Sequence, residues 1–202
     1  MSDNPIVDTS PRTVLFYGMS GAGKGTQARL LVDKLNKKRN THFLETGQLL
    51  RDYAKNAGTE GARHVKDTID SGGLVPPAVS AYMWSGVLLK SVGSNHNVVF
   101  DGAARSIGEA KLFNGMLEWL NRDYSIIILE IDGDTAKQRS ADRGENRVDD
   151  TDEAMVKRLA WFKEQTMPAI EYMSELGANV YHIDGGKSID EVHQDILEKL
   201  GL

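Results

Sequence analysis

The chain has 202 residues, 40% hydrophobic and 26% charged, with a formal net charge of −5 and no cysteine. That length suits one compact domain over 1–202 with a buried core, the acidic balance argues against an extended basic face for nucleic acid, and the missing cysteines exclude disulfides and a cysteine-ligated zinc. No apolar run approaches the ~18–20 residues that span a bilayer, and the polar segment Met1–Pro11 lacks a secretion-signal pattern, so no membrane partner is expected and the cytoplasm is the expected compartment.

Thr13-Val14-Leu15-Phe16-Tyr17 is β-branched and aromatic and predicts a buried strand over Val14–Tyr17. It runs into Gly18-Met19-Ser20-Gly21-Ala22-Gly23-Lys24-Gly25-Thr26. Beyond the loop, Ala28, Leu31 and Leu35 share one face of a helix predicted over Gln27–Leu35. Strand, glycine loop and helix form the setting of a phosphate-binding loop. The glycines let backbone N–H groups converge on an anion, the helix start adds its dipole, and Lys24 adds a mobile positive charge. The generic loop ends Gly-Lys-Ser/Thr. Here the hydroxyl arrives one residue late, at Thr26, which narrows a broad class of nucleotide binders to a small group of kinases.

Four more apolar segments predict strands: His42–Glu45, Val98–Phe100, Ile126–Ile131 and Val180–Ile183. Helical spacing of apolar residues fills the intervals, as over Lys111–Leu120 and Met155–Met173. The alternation predicts an α/β, three-layer fold with a five-stranded parallel sheet covered by helices on both faces. Ligands then belong at the carboxyl ends of the strands. Two stretches depart from the pattern and read as flaps: the glycine-punctuated, helical Gly47–Pro77 and the short, charged Arg143–Thr151. The five histidines have no metal-ligand spacing, and Trp84, Trp119 and Trp161 read as packing residues in helices.

The polar motifs fall at the strand ends. They are Glu45-Thr46-Gly47-Gln48-Leu49-Leu50-Arg51, then Asp70-Ser71-Gly72-Gly73-Leu74-Val75-Pro76, then Asp101-Gly102-Ala103-Ala104-Arg105. A series of arginines follows at Arg139, Arg143, Arg147 and Arg158. With the late-hydroxyl loop, the order and spacing of these motifs resemble the adenylate kinase family of nucleoside monophosphate kinases, short-lid type. The resemblance covers nearly the whole chain from Val14. It implies an ATP:nucleoside-monophosphate phosphotransferase with Mg²⁺ as cofactor, AMP as the default acceptor, and a monomeric state.

The same resemblance distributes the residues. Gly21, Ala22, Gly23, Lys24, Gly25 and Thr26 hold the donor triphosphate, with Arg139 and Gly186 at the donor base. Thr46, Gly47, Arg51, Gly73, Val75, Gly102, Arg105 and Glu109 form the acceptor site, with Arg51 and Arg105 on its phosphate. Lys24, Arg105, Arg143, Arg147 and Arg158 converge on the transferring group, and Asp101 orients Mg²⁺ through its water shell. Residues 47–77 become the acceptor flap and 143–151 a short donor lid. Such a set suits the chemistry: in-line transfer between two polyanions asks for positioning and positive charge, and the guanidinium fork matches phosphate oxygens.

The chain departs from the family pattern mainly at the acceptor end. Ala103 and Ala104 stand where Phe-Pro is usual, with a proline bond that is typically cis. A cis bond costs ~2.5–4 kcal/mol before a non-proline residue against ~0.5–1 before proline, so a trans bond with a locally shifted Arg105 is expected. Gln48 replaces an acidic residue near the metal waters, and Ser20 replaces a proline in the loop. Glu109 stands where a glutamine reads adenine. It has two readings. As a base reader, a carboxylate accepts two bonds and donates none, which suits the adjacent N–H donors of guanine better than adenine. Alternatively Ser106-Ile107-Gly108-Glu109 is a capping box at a helix start, with Glu109 on the surface. Three functional readings remain: an AMP kinase, a kinase of altered base preference such as GMP, and an ATP-binding protein with a degenerate acceptor site.

Overall fold

The computed structural model describes residues 10–142 and 152–202. Five strands, β1 (Thr13–Gly18), β2 (Thr41–Glu45), β3 (Asn97–Asp101), β4 (Ser125–Glu130) and β5 (Asn179–Asp184), form one parallel sheet in the order β2-β3-β1-β4-β5. Each predicted strand is present, within one residue at most ends.

Side-chain alternation makes the sheet a two-sided partition. Leu15, Tyr17, Val98, Phe100, Ile126 and Ile128 face one core; Val14, Phe16, Val99, Ile127 and Leu129 face the other. The first core is closed by α4 (Pro77–Ser91), α5 (Ile107–Trp119) and α8 (Met167–Glu175). Phe113 of α5 sits at its centre, with Trp84, Phe100 and Tyr124 edge-on at 5.3, 5.1 and 5.5 Å between ring centroids. Such contacts add about 0.5–1.5 kcal/mol each beyond the area they bury. The second core is closed by α1 (Lys24–Asn36) and α9 (Ile189–Leu200).

Between β2 and β3 the chain forms α2 (Thr46–Asn56) and α3 (Glu60–Asp70) before α4, which accounts for the helical reading of Gly47–Pro77. Met155–Met173 is helical throughout, as its spacing predicts, but not regular: α7 (Asp152–Trp161) passes into a π-helical turn over Phe162–Thr166 and then α8, where Pro168 occupies the first turn and cannot donate to the preceding one. Two packing expectations need correcting: Trp119, at the end of α5, and Trp161 are 69% and 38% exposed. Between β4 and α7, α6 (Gly133–Asp142) completes the described elements. Arg143, Arg147 and the expected lid 143–151 lie outside the described residues. No helix of the described residues is long and apolar enough to cross a membrane.

Candidate active site

β1 lies between β3 and β4; the chain runs from β1 to β2 on one side of it and from β4 to β5 on the other, so the strand order reverses beside β1. Open parallel sheets bind ligands at this kind of switch point. The phosphate loop follows β1 here. Gly21 and Gly23 take φ +87° and +86°, and Gly23 caps α1 in the left-handed region, leaving the first N–H groups of the helix to an incoming anion. Gly21 is required twice over: its φ disfavours a side chain, and a Cβ would stand 2.5 Å from the Ala136 carbonyl oxygen of α6. Gly21→Ala is therefore expected to lose about 1–3 kcal/mol of stability, read as a lower melting temperature. Lys24 Nζ donates to the Met19 carbonyl at 2.9 Å, across its own loop.

A cavity of about 670 Å³ opens beside the loop. Met19, Ser20, Lys24, Gly25 and Thr26 form one wall, the β2 end with α2 another, and Gly72–Pro77 a third; Asp101, Gly102 and Arg105, the start of α5 and the α7–π-turn junction complete it. Five basic side chains (Lys24, Arg29, Arg51, Arg105, Arg158) and three carboxylates (Glu45, Asp101, Glu109) line this space. In a chain of formal net charge −5, that local excess of cations marks a site for anions.

The carboxylates have different employment. Glu45 pairs with Arg29 at 2.9 Å, and Arg29 lies over the Phe43 ring. Asp101, at the end of β3, faces Gly25: a Cβ there would sit 3.6 Å from Asp101 Oδ2. Glu109 is only 4% exposed. Its Oε1 accepts from Ser80 Oγ at 2.7 Å and from Trp84 Nε1 at 3.0 Å, and its Oε2 accepts from the Arg105 N–H at 3.1 Å. Ser106 caps α5 by accepting from the Glu109 N–H at 3.3 Å. Ser106 therefore caps α5 as expected, but Glu109 does not complete the box: its carboxylate accepts from the Arg105 N–H rather than that of Ser106, and it is buried, because α4 offers two donors that draw it inward.

At the other expected acceptor residues, Arg51 donates through Nε and Nη2 to Gln48 Oε1 at 3.2 and 2.9 Å, and Gln48 Nε2 donates to Asp52 at 2.8 Å. The unusual Gln48 thus orients Arg51 at the cavity wall. Thr46 is 2% exposed, and its hydroxyl oxygen has no hydrogen-bond partner among the described residues. Gly47, Gly73, Val75 and Gly102 line the same cavity. The peptide between Ala103 and Ala104 is trans, as expected, with Ala104 at φ +52°.

Arg139 and Gly186 meet on the other side of the phosphate loop. Arg139 donates to the Gly185 carbonyl at 2.7 Å and to the Gly186 carbonyl at 3.3 Å, joining α6 to the loop before α9. Neither they nor Gly21, Ala22 and Gly23 line the cavity. Several lining residues carry no sequence motif. Trp161 enters at the end of α7 and Phe162, Gln165 and Thr166 through the π-helical turn, and Ser80 and Tyr17 enter through hydrogen bonds to partners distant in sequence. Only a Ser/Thr beside an apolar helical face hinted at Thr166.

Comparison with known proteins bears on the same residues. The family model for adenylate kinase matches residues 16–178. An adenylate kinase of Deinococcus deserti is 32% identical over 203 residues, covering 96% of this chain and 98% of the relative. One from Bacteroides thetaiotaomicron is 33% identical over 189 residues (92% and 96%), and one from Maricaulis maris is 33% identical over 192 residues (93% and 97%).

Proposed function

Because the chain belongs to the adenylate kinase family and is a phosphotransferase of the nucleoside monophosphate kinase class, we propose that it moves the γ-phosphoryl group of Mg-ATP to AMP. The observation that carries this reading is the meeting of the phosphate loop with Arg51, Arg105 and Arg158 at one cavity. The loop N–H groups and Lys24 hold the donor phosphates, with Arg139 and Gly186 flanking the donor base. Arg51 and Arg105 grip the acceptor phosphate, and the buried Thr46 hydroxyl, Gly47, Gly73, Val75 and Gly102 form the floor around the acceptor. Arg158, with Arg143 and Arg147, screens the charge of the transferring group.

An acceptor phosphate oxygen attacks the γ-phosphorus in line as the bond to the β–γ bridging oxygen breaks, leaving two nucleoside diphosphates. Side chains fixed on four elements supply the alignment, and the cations offset charge that would otherwise repel the acceptor. Mg²⁺ fits the donor set. Asp101 stands opposite Gly25 of the loop, and Thr26 lines the same cavity, one carboxylate and one hydroxyl at the edge of a phosphate site. Among the described residues no cluster of three potential metal-ligating side chains forms a cage. Mg²⁺ commonly keeps its waters and binds phosphates with few protein ligands, and Asp101 would hold those waters. When bound, the ion neutralises phosphate charge. All the assigned side chains belong to one chain, so a monomer suffices, and an ATP-linked role of this kind suits the cytoplasm.

The Glu109 oxygens are bonded to three protein donors, which removes the argument for guanine and leaves AMP as the default acceptor. The test is a coupled assay across AMP, GMP, CMP and UMP with Mg-ATP as donor. AMP is expected to give the highest kcat/KM. A GMP preference would move Glu109 to base reading, and ATP binding without turnover of any acceptor would overturn the proposal.

A further inference from the structure

Tyr17 is the last side chain before the phosphate loop, and its place in sequence puts it on the donor side. Its side chain goes elsewhere. The pleat of β1 turns Tyr17 with Leu15 into the core under α4, α5 and α8. There its hydroxyl donates to the Ala103 carbonyl at 2.8 Å and, in a shared bond, to the Ala104 carbonyl at 3.2 Å. Burial pushes the Tyr17 phenol well above its ordinary pKa, and the Glu109 carboxylate adds to the rise, so the hydroxyl keeps its proton near neutral pH.

What the hydroxyl holds is a strained stretch of backbone. Ala104 is fully buried at φ +52°, in the left-handed region that an L side chain occupies at a penalty. Among the described residues Asn121, at φ +51°, is the other non-glycine residue with positive φ, and asparagine tolerates that region readily. Relaxing Ala104 to the right-handed region would rotate the peptide planes around it. The two carbonyls would then leave the hydroxyl and stay buried without a partner. The neighbouring residue is the acceptor arginine. The Arg105 guanidinium lies across Gly102, where a Cβ would collide with it. The Arg105 N–H donates to Glu109, and the Arg105 carbonyl accepts from Thr166 Oγ1 at 3.1 Å. Tyr17 therefore fixes the one part of the turn that its own dihedral preference would release.

We propose that Tyr17 is a positioning residue for the acceptor phosphate: its hydroxyl holds the Ala103 and Ala104 carbonyls, and with them the left-handed Ala104, in the path that presents Arg105 to the cavity. The proposal rests on the reading of Arg105 as an acceptor-phosphate ligand. Four variants test it: Tyr17→Phe, Ala104→Gly, the two combined, and Arg105→Ala. For each, kinetics with AMP and ATP varied separately are joined to calorimetric titration with AMP. Tyr17→Phe is expected to raise KM and Kd for AMP about tenfold, the scale set by the left-handed penalty of an L residue, with KM for ATP within about twofold.

Ala104→Gly alone is expected to stay within about threefold of the parent, and in its background Tyr17→Phe should cost AMP binding only about threefold, since glycine takes the left-handed path unaided. A purely structural tyrosine would move both substrates together and gain nothing from glycine. Should Tyr17→Phe fail to fold, the combined variant against Ala104→Gly gives the same comparison: a full tenfold loss for AMP there, or an equal loss for AMP and ATP, overturns the proposal. If Arg105→Ala weakens AMP while Tyr17→Phe leaves it unchanged, the role of Tyr17 falls and that of Arg105 stands. If Arg105→Ala leaves AMP unchanged, both fall.

Discussion

Lys24→Ala is expected to lower turnover by about a thousandfold or more and to leave the melting temperature nearly unchanged. Lys24 opens α1 at the cavity mouth, half-buried, and donates to the Met19 carbonyl across the loop. Alanine is the best helix former, so the helix start tolerates it, and the left-handed Gly21 and Gly23 preserve the loop path. The loss falls on the positive charge that, in the proposed mechanism, faces the transferring phosphate. A coupled assay with circular dichroism melting separates the two effects. Turnover close to that of the parent would rule out transfer at this loop.

Glu109→Gln is expected to destabilise the protein by about 1–3 kcal/mol, which for a chain of this size lowers the melting temperature by roughly 2–12 °C. The change is nearly isosteric, so the argument is one of hydrogen-bond parity. The carboxylate faces three donors, the Ser80 hydroxyl, the Trp84 indole and the Arg105 N–H. Glutamine offers one oxygen and places an NH₂ group against at least one of them. If the Arg105 N–H is left unpaired, the acceptor arginine shifts and KM for AMP rises about five- to tenfold. Differential scanning calorimetry and acceptor kinetics check both parts. An unchanged melting temperature with a changed AMP-to-GMP ratio would identify Glu109 as a base reader.

Those two residues also show what sequence reading reaches. Lys24 was legible because a phosphate loop is local: strand, glycines, lysine and helix start lie within about fifteen residues, and each obeys a short-range rule. The sheet was legible for the same reason, since buried parallel strands such as Ile126–Leu129 read as continuous apolar runs. Glu109 was legible only in part. A Ser-x-x-Glu pattern announces a helix start, and Ser106 provides one, but the inward turn of the carboxylate depends on Ser80 and Trp84 of α4. Tyr17 was not legible at all as a polar actor. Within an apolar strand its ring satisfies the pattern, and its hydroxyl partners lie 86 and 87 residues away. The π-helical turn ahead of Pro168 carried a local signal, a proline within a helical run, that apolar spacing alone overrides.

The bond from Tyr17 to the Ala103–Ala104 turn also limits how such enzymes can be shuffled. The last strand residue before the phosphate loop is covalently part of one half-site and hydrogen-bonded to the other. A crossover placed after the loop would therefore carry away a support of the acceptor turn along with the donor segment. The exchangeable unit is not the contiguous loop but the loop together with a turn some eighty residues downstream. On the proposed role of Tyr17, an engineered exchange in this chain moves the two as a pair.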